Sequence, residues 1–197
     1  MDFSAEIANL SAASNTFHTR IFSTKNKLRF QGEDKAGRTN SIMIVDLAEG
    51  THTVLLPQQK KYVVNKGSQI PGQGVTFFQF KDVENACGEW QKLMQAAAVA
   101  DEDNPKAPVG KDKCEKIGHE TENGRDTVKY EDKPEKGEAS LMWIDVKLHF
   151  PVKWKNAVSS GELRDIKEEP QPPELFAIPA GYTTRPFDVN QKTKPAQ

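Results

Sequence analysis

Long apolar runs are missing from this chain: no stretch approaches the roughly 18 consecutive apolar residues of a membrane-spanning helix. A dominant charge is missing too. The 27 basic residues nearly cancel the 28 acidic ones, so no global field steers the chain to nucleic acid or to an anionic membrane. Recognisable catalytic spacings are equally scarce. The four histidines, His18, His52, His119 and His149, lie far apart and form no i, i+4 pair, and there is no Cys-x-x-Cys, so no metal site is expected. Cys114 and His119 stand five apart, which is no nucleophile–base motif, and there is no Gly-x-Ser-x-Gly elbow. Gly72-Gln73-Gly74 lacks the third glycine of a nucleotide loop and reads as a turn. These absences point away from an enzyme and imply no cofactor.

What remains is patterned for strands. Only 36% of the 197 residues are hydrophobic, a polar share that suits an antiparallel sheet with one wet face. Phe3, Ala5 and Ile7 alternate with Ser4 and Glu6. Phe17, Thr19, Ile21 and Ser23 share one face of the next run, and Lys27 to Phe30 follows. A polar turn over 32–37 leads to Ser41-Ile42-Met43-Ile44-Val45-Asp46, apolar enough to be a central strand. Thr51 to Leu56 returns after Glu49-Gly50, and Lys60 to Val64 follows a turn at Pro57. Short strands at short spacing predict a meander. In the second half, Val128 and Tyr130 share a face. Met142, Ile144, Val146, Leu148 and Phe150 alternate with Trp143, Asp145, Lys147 and His149 and read as one strand of nine residues, which Pro151 either ends or follows as the start of an edge segment. Val152 to Trp154 and Glu162 to Lys167 are further strands, and Leu175 to Pro179 is a last apolar anchor. Residues 1–185 are expected to form a single β-rich domain, with 186–197 a disordered tail.

One segment breaks the pattern. Phe77, Phe78 and Phe80 form a dense aromatic patch. Asp82 then caps a helix whose apolar stripe runs through Val83, Ala86, Cys87, Trp90, Leu93, Met94 and Ala97. This helix either plugs the concave face of the sheet as core or covers an apolar cavity as a lid. Phe77, Phe78, Phe80, Trp90, Leu93 and Met94 are the candidate ligand-binding residues.

The two cysteines allow two states. A Cys87–Cys114 bridge would close a loop of about 27 residues and stabilise by roughly 3.5 kcal/mol on chain-entropy grounds; two buried thiols are the alternative. No signal peptide is visible at Met1-Asp2-Phe3-Ser4. The chain is therefore either cytosolic or a mature exported chain, and a start directly on a strand-like segment favours export.

The order of many antiparallel strands, an internal helix and more strands is similar to that of the bacterial lipoprotein-carrier proteins of the Lol system. More closely, the chain resembles an uncharacterised bacterial family of exported proteins with that predicted fold. Four stretches carry the closer likeness: Leu56-Pro57-Gln58-Gln59-Lys60-Lys61-Tyr62; Cys114 with Gly118-His119-Glu120-Thr121-Glu122-Asn123-Gly124-Arg125; Trp143-Ile144-Asp145 with Leu148 and Pro151-Val152-Lys153; and Leu175 to Tyr182. Within them, Asn123-Gly124 suits a type I′ hairpin turn, and Asp145 is placed to pair with Arg125 across the sheet. The resemblance implies a mainly β fold, a curved antiparallel sheet (an incomplete barrel) closed by one internal helix, and a periplasmic or extracellular location. No position here matches the carriers' cavity arginine, so lipoprotein transport itself is not implied. The expectation is a non-catalytic exported binding module for a hydrophobic or lipid-like ligand or a lipidated protein, without nucleic-acid partners. The alternatives are a protein-docking module with a filled core and, more remotely, a hydrolase with a site assembled in tertiary space.

Overall fold

The computed structural model describes residues 1–9, 18–34, 36–66, 77–92, 113–135, 137–157 and 159–184. Strands dominate them: β1 (Phe3–Asn9), β2 (His18–Ser23), β3 (Lys27–Glu33), β4 (Thr39–Asp46), β5 (Thr51–Leu56), β6 (Lys61–Lys66), β7 (Lys113–Glu122), β8 (Arg125–Lys133), β9 (Ser140–Asp145), β10 (Phe150–Lys155), β11 (Ser160–Lys167) and the two-residue β12 (Thr183–Thr184). One internal helix, α1, occupies 87–92. All strands join one sheet in the order β12-β6-β5-β4-β3-β2-β1-β11-β10-β9-β8-β7. Two meanders, β2 to β6 and β7 to β11, meet at β1, which pairs antiparallel with β2 on one side and β11 on the other. The sheet is mainly antiparallel, as the sequence pattern predicts, and does not close into a barrel, as the resemblance to the lipoprotein carriers implies.

Alternation assigns the two faces. Phe3, Ala5 and Ile7 of β1, Ile21 of β2, Leu28 and Phe30 of β3 and Val45 of β4 enter one buried cluster with Leu163, Phe150, Val152 and Trp154. This inner face continues across β8 and β9 through Val128, Tyr130, Met142 and Ile144. The opposite, outer face is mostly polar. Trp143 is buried there by lysine stems: the Lys129 and Lys153 ammonium groups lie 4.9 and 4.7 Å from its ring. Its indole N–H donates to Glu120 at 2.7 Å.

The predicted nine-residue strand ending at Phe150 is two strands with a turn between them. β9 stops at Asp145 and β10 begins at Phe150. Asp145 makes the turn: its Oδ1 accepts the N–H of Lys147 at 2.9 Å and of Leu148 at 2.7 Å. Its carbonyl accepts the His149 N–H, and His149 takes φ 56°. Alternation concealed the turn because Leu148, within it, still points into the core and is fully buried. Pro151 neither ends a strand nor begins an edge strand: it is the second residue of β10, which lies between β9 and β11. Its missing N–H is tolerated because β11 pairs with β10 only from Lys153 onward, and the Pro151–Lys153 step is irregular.

Candidate functional site

Residues 77–92 cross the inner face, and their sequence explains the path. Phe77 enters the first cluster, where its ring lies 5.4 Å from Phe30, 5.2 Å edge-on to Trp154 and 5.9 Å stacked on Phe150. Phe78 and Phe80, 4.1 Å apart between ring centres, enter the second cluster with Val83, Ala86 and Trp90. Asp82 then reverses the chain: its Oδ1 accepts the Glu84 N–H at 2.9 Å and its Oδ2 the Asn85 amide at 2.8 Å. The Glu89 carboxylate reaches back to the Lys81 N–H at 3.0 Å. These bonds satisfy donors of the turn that leads into α1.

Three attachments fasten this segment to the second meander. The Cys87–Cys114 disulfide ties α1 to β7, with Cα atoms 5.5 Å apart. The Tyr130 hydroxyl, from β8, donates to the Val83 carbonyl at 2.7 Å and accepts the Ala86 N–H at 3.2 Å. Burial pushes the Tyr130 phenol above its ordinary range. In the turn after β9, the His149 carbonyl accepts the Phe80 N–H at 2.7 Å while its ring Nδ1 donates to the Phe80 carbonyl at 3.0 Å. A surface ion pair, Glu84 with Lys116, adds to these, and His119 lies 3.3 Å from Glu84 and 3.4 Å from Asp126. Exposed pairs of this kind contribute little stability.

Of the predicted ligand-binding residues, Phe77, Phe78, Phe80 and Trp90 all lie on the inner face, Phe77 in the first cluster and the other three in the second. Each is no more than 7% exposed, so these rings pack as core. Leu93 and Met94 lie outside the described residues. The anchors Tyr130 and His149 were not singled out by sequence reasoning. The available signal for Tyr130 was a phenol on an apolar strand face, where its hydroxyl needs a partner. His149 carried none, because its role depends on a turn that alternation hid.

Among the described residues no group of three or more His, Cys, Asp and Glu side chains could hold a metal. Cys114 is consumed in the disulfide and cannot serve as a nucleophile. His52 on β5, His119 on β7 and His149 after β9 stand at separate places in the sheet. Asp145, 1% exposed, pairs with Arg125 as predicted, and Arg125 also binds Glu168 at 2.8 Å. The Asp145 carboxylate, and then Glu168, hold the Arg125 guanidinium above its ordinary range. This network closes the turn and serves structure.

No family model matches this chain, and no curated relative does. Among solved structures, an uncharacterised conserved protein from Thermus thermophilus aligns with TM-score 0.55 at 8% identity, over 94% of this chain and 90% of that one. PNGF-II aligns with TM-score 0.50 at 10% identity, over 93% of this chain, which spans only 31% of it. The MucA/MucB complex of Pseudomonas aeruginosa gives 0.49 at 11% identity, over 89% of this chain and 55% of that chain. At such identities the likeness is one of fold alone. It reaches an uncharacterised bacterial protein over nearly the full length of both chains and does not single out a family.

Proposed function

We propose that this chain is a non-catalytic, exported binding module whose inner face takes a hydrophobic or lipid-like ligand, or the acyl chain of a lipidated protein. The observation that carries this reading is the run of buried aromatics, Phe77 in the first cluster and Phe78, Phe80 and Trp90 in the second, held across an open sheet by a segment clamped through Cys87–Cys114. Opening of that segment would offer a ligand a large apolar surface with few polar groups to desolvate. The disulfide supports export, because such bonds persist in oxidising compartments. Leu93 and Met94 are proposed as further ligand contacts from the apolar stripe of the sequence alone.

A second reading, a docking module with a closed core, is favoured by one observation: Phe77 is wedged among Phe30, Phe150 and Trp154 with almost no exposure. Native mass spectrometry on protein purified without detergent separates the two. A co-purifying acyl compound, lost in a folded Trp90→Glu variant, supports the ligand reading. A clean apo mass with no uptake of added fatty acid or lipopeptide transfers the assignment to docking.

A further inference from the structure

The outer face of the first meander carries a third apolar cluster with an unusual cover. Ile42, Ile44 and Leu55 are at most 6% exposed, packed beneath Tyr62, Phe176 and Tyr182. Phe176 and Tyr182 belong to a strap, residues 172–184, that follows Pro170 and begins with Pro172 and Pro173. No strap residue is itself buried. Its polar attachments to the sheet are few. Arg29 donates to the Leu175 carbonyl at 2.7 Å, and the Thr183 N–H donates to the Lys60 carbonyl at 3.0 Å. Thr183 and Thr184 pair with β6 in the sheet's one parallel ladder among the described residues. Two parallel pairs are a weak hold.

Arg29 shows what the strap fails to provide. The residue is 8% exposed, yet it makes no ion pair among the described residues. Its guanidinium donates to two neutral oxygens, of Leu175 and of Gln31 at 2.9 Å, and its Nε has no partner among the described residues. Arg20, on the same face, likewise leaves its Nε unpaired. The two guanidiniums lie 5.7 and 6.0 Å from one ring, Phe22. A buried cation without a counter-charge is costly, and burial holds the Arg29 guanidinium below its ordinary range. A carboxylate delivered here would gain more than the Leu175 carbonyl does.

We propose that the outer face of β3 to β6 is a docking surface for an extended, apolar segment of a partner protein that brings a carboxylate to Arg29, and that the chain's own strap covers this surface until displaced. The partner segment would pack on Ile42, Ile44, Leu55 and Tyr62 and could add a longer strand along β6 than the two residues of β12. This site is on the face opposite the aromatic cluster and does not depend on a ligand there.

The test compares the full chain with a Phe176→Ala, Tyr182→Ala double variant, which loosens the strap and leaves the surface intact. The probe is a fluorescent synthetic peptide of the strap's own sequence, residues 173–184, and the same peptide with Leu175→Asp. Thermal unfolding verifies that each protein is folded. The plain peptide is expected to bind the double variant about tenfold or more tightly than the full chain, because a closed cover reduces apparent affinity by the open fraction. The aspartate peptide is expected to bind more tightly still, with the gain abolished by Arg29→Gln. No binding, or equal binding to both proteins, overturns the displaceable cover. An aspartate gain that is absent, or that survives Arg29→Gln, overturns the carboxylate assignment. A dimer of the full chain on size exclusion that disappears in the double variant assigns the surface to a second copy's strap and overturns the choice of a foreign partner. Should the double variant not fold, amide exchange on the unaltered chain decides. A Thr183 amide as slow as those of β4 and β5 means that the strap never opens, and faster exchange at Thr183 supports the cover.

Discussion

Tyr130 is the residue on which the inner-face segment turns. Its hydroxyl is both donor, to Val83, and acceptor, from Ala86, and the residue is 1% exposed. Tyr130→Phe keeps the ring and its packing but leaves a buried carbonyl and a buried N–H unpaired. A loss of about 1–3 kcal/mol is expected, read as a lower urea midpoint with unchanged slope. A variant as stable as the parent would mean that water replaces both bonds. Asp145 shows how much of such a role sequence can reveal. Its pairing with Arg125 was legible from its place on the polar side of a strand. Its acceptance of two backbone N–H groups was not, because that depends on the chain reversing at the next residue.

Turns and helix termini decide the elements, and two glycines show how local geometry sets the sign of one substitution. In the β7–β8 hairpin, Asn123 and Gly124 both have positive φ, 50° and 77°, as a type I′ turn requires. A Cβ on Gly124 would meet nothing within 4 Å, so Gly124→Ala loses about 1–2 kcal/mol through backbone strain alone. Gly88 in α1 also has open space around an added Cβ, without a positive φ. Gly88→Ala should therefore stabilise by about 0.5–1 kcal/mol. Chemical denaturation of the two variants checks the pair; shifts of the same sign would refute this account. The hairpin was readable because Asn-Gly carries its own conformational preference. The extent of α1 was less so. Its stripe predicts a helix from Asp82 to Ala97, whereas among the described residues 82–86 form turns and the helix occupies 87–92.

At the scale of the molecule, the second meander is laced with charge pairs. Glu84 is held below the ordinary carboxylate range by Lys116, Glu120 by the Trp143 indole and then Lys129, and Glu168 by Lys147 and then Arg125. A carboxylate depressed in the folded state contributes stability that is present above its unfolded value. That stability is lost as pH falls through the folded value. The melting temperature should therefore hold steady from neutrality and drop below about pH 4.5, less steeply at high salt, since these groups are near the surface. Glu120→Gln should flatten part of that acid limb, which circular dichroism melts between pH 7 and pH 3 would record. An unchanged limb would place the acid sensitivity elsewhere.

The chain by itself determined the class of fold: period-two alternation, punctuated by Asn-Gly, Glu-Gly and proline, admits little besides an antiparallel meander with one apolar face. It also determined which aromatics leave solvent, because Phe77, Phe78, Phe80 and Trp90 sit at positions where only an apolar surface could receive them. Its two cysteines allowed a bridge without requiring one. Tertiary structure alone decided that they meet, that β1 joins the two meanders through β11, that His149 and Tyr130 hold the inner segment, and that a C-terminal strap covers the outer cluster beside Arg29. The physical reason is range. Propensity and alternation act over a few residues, whereas Arg29 and Leu175 stand 146 residues apart, and such meetings follow from the closing of the whole sheet.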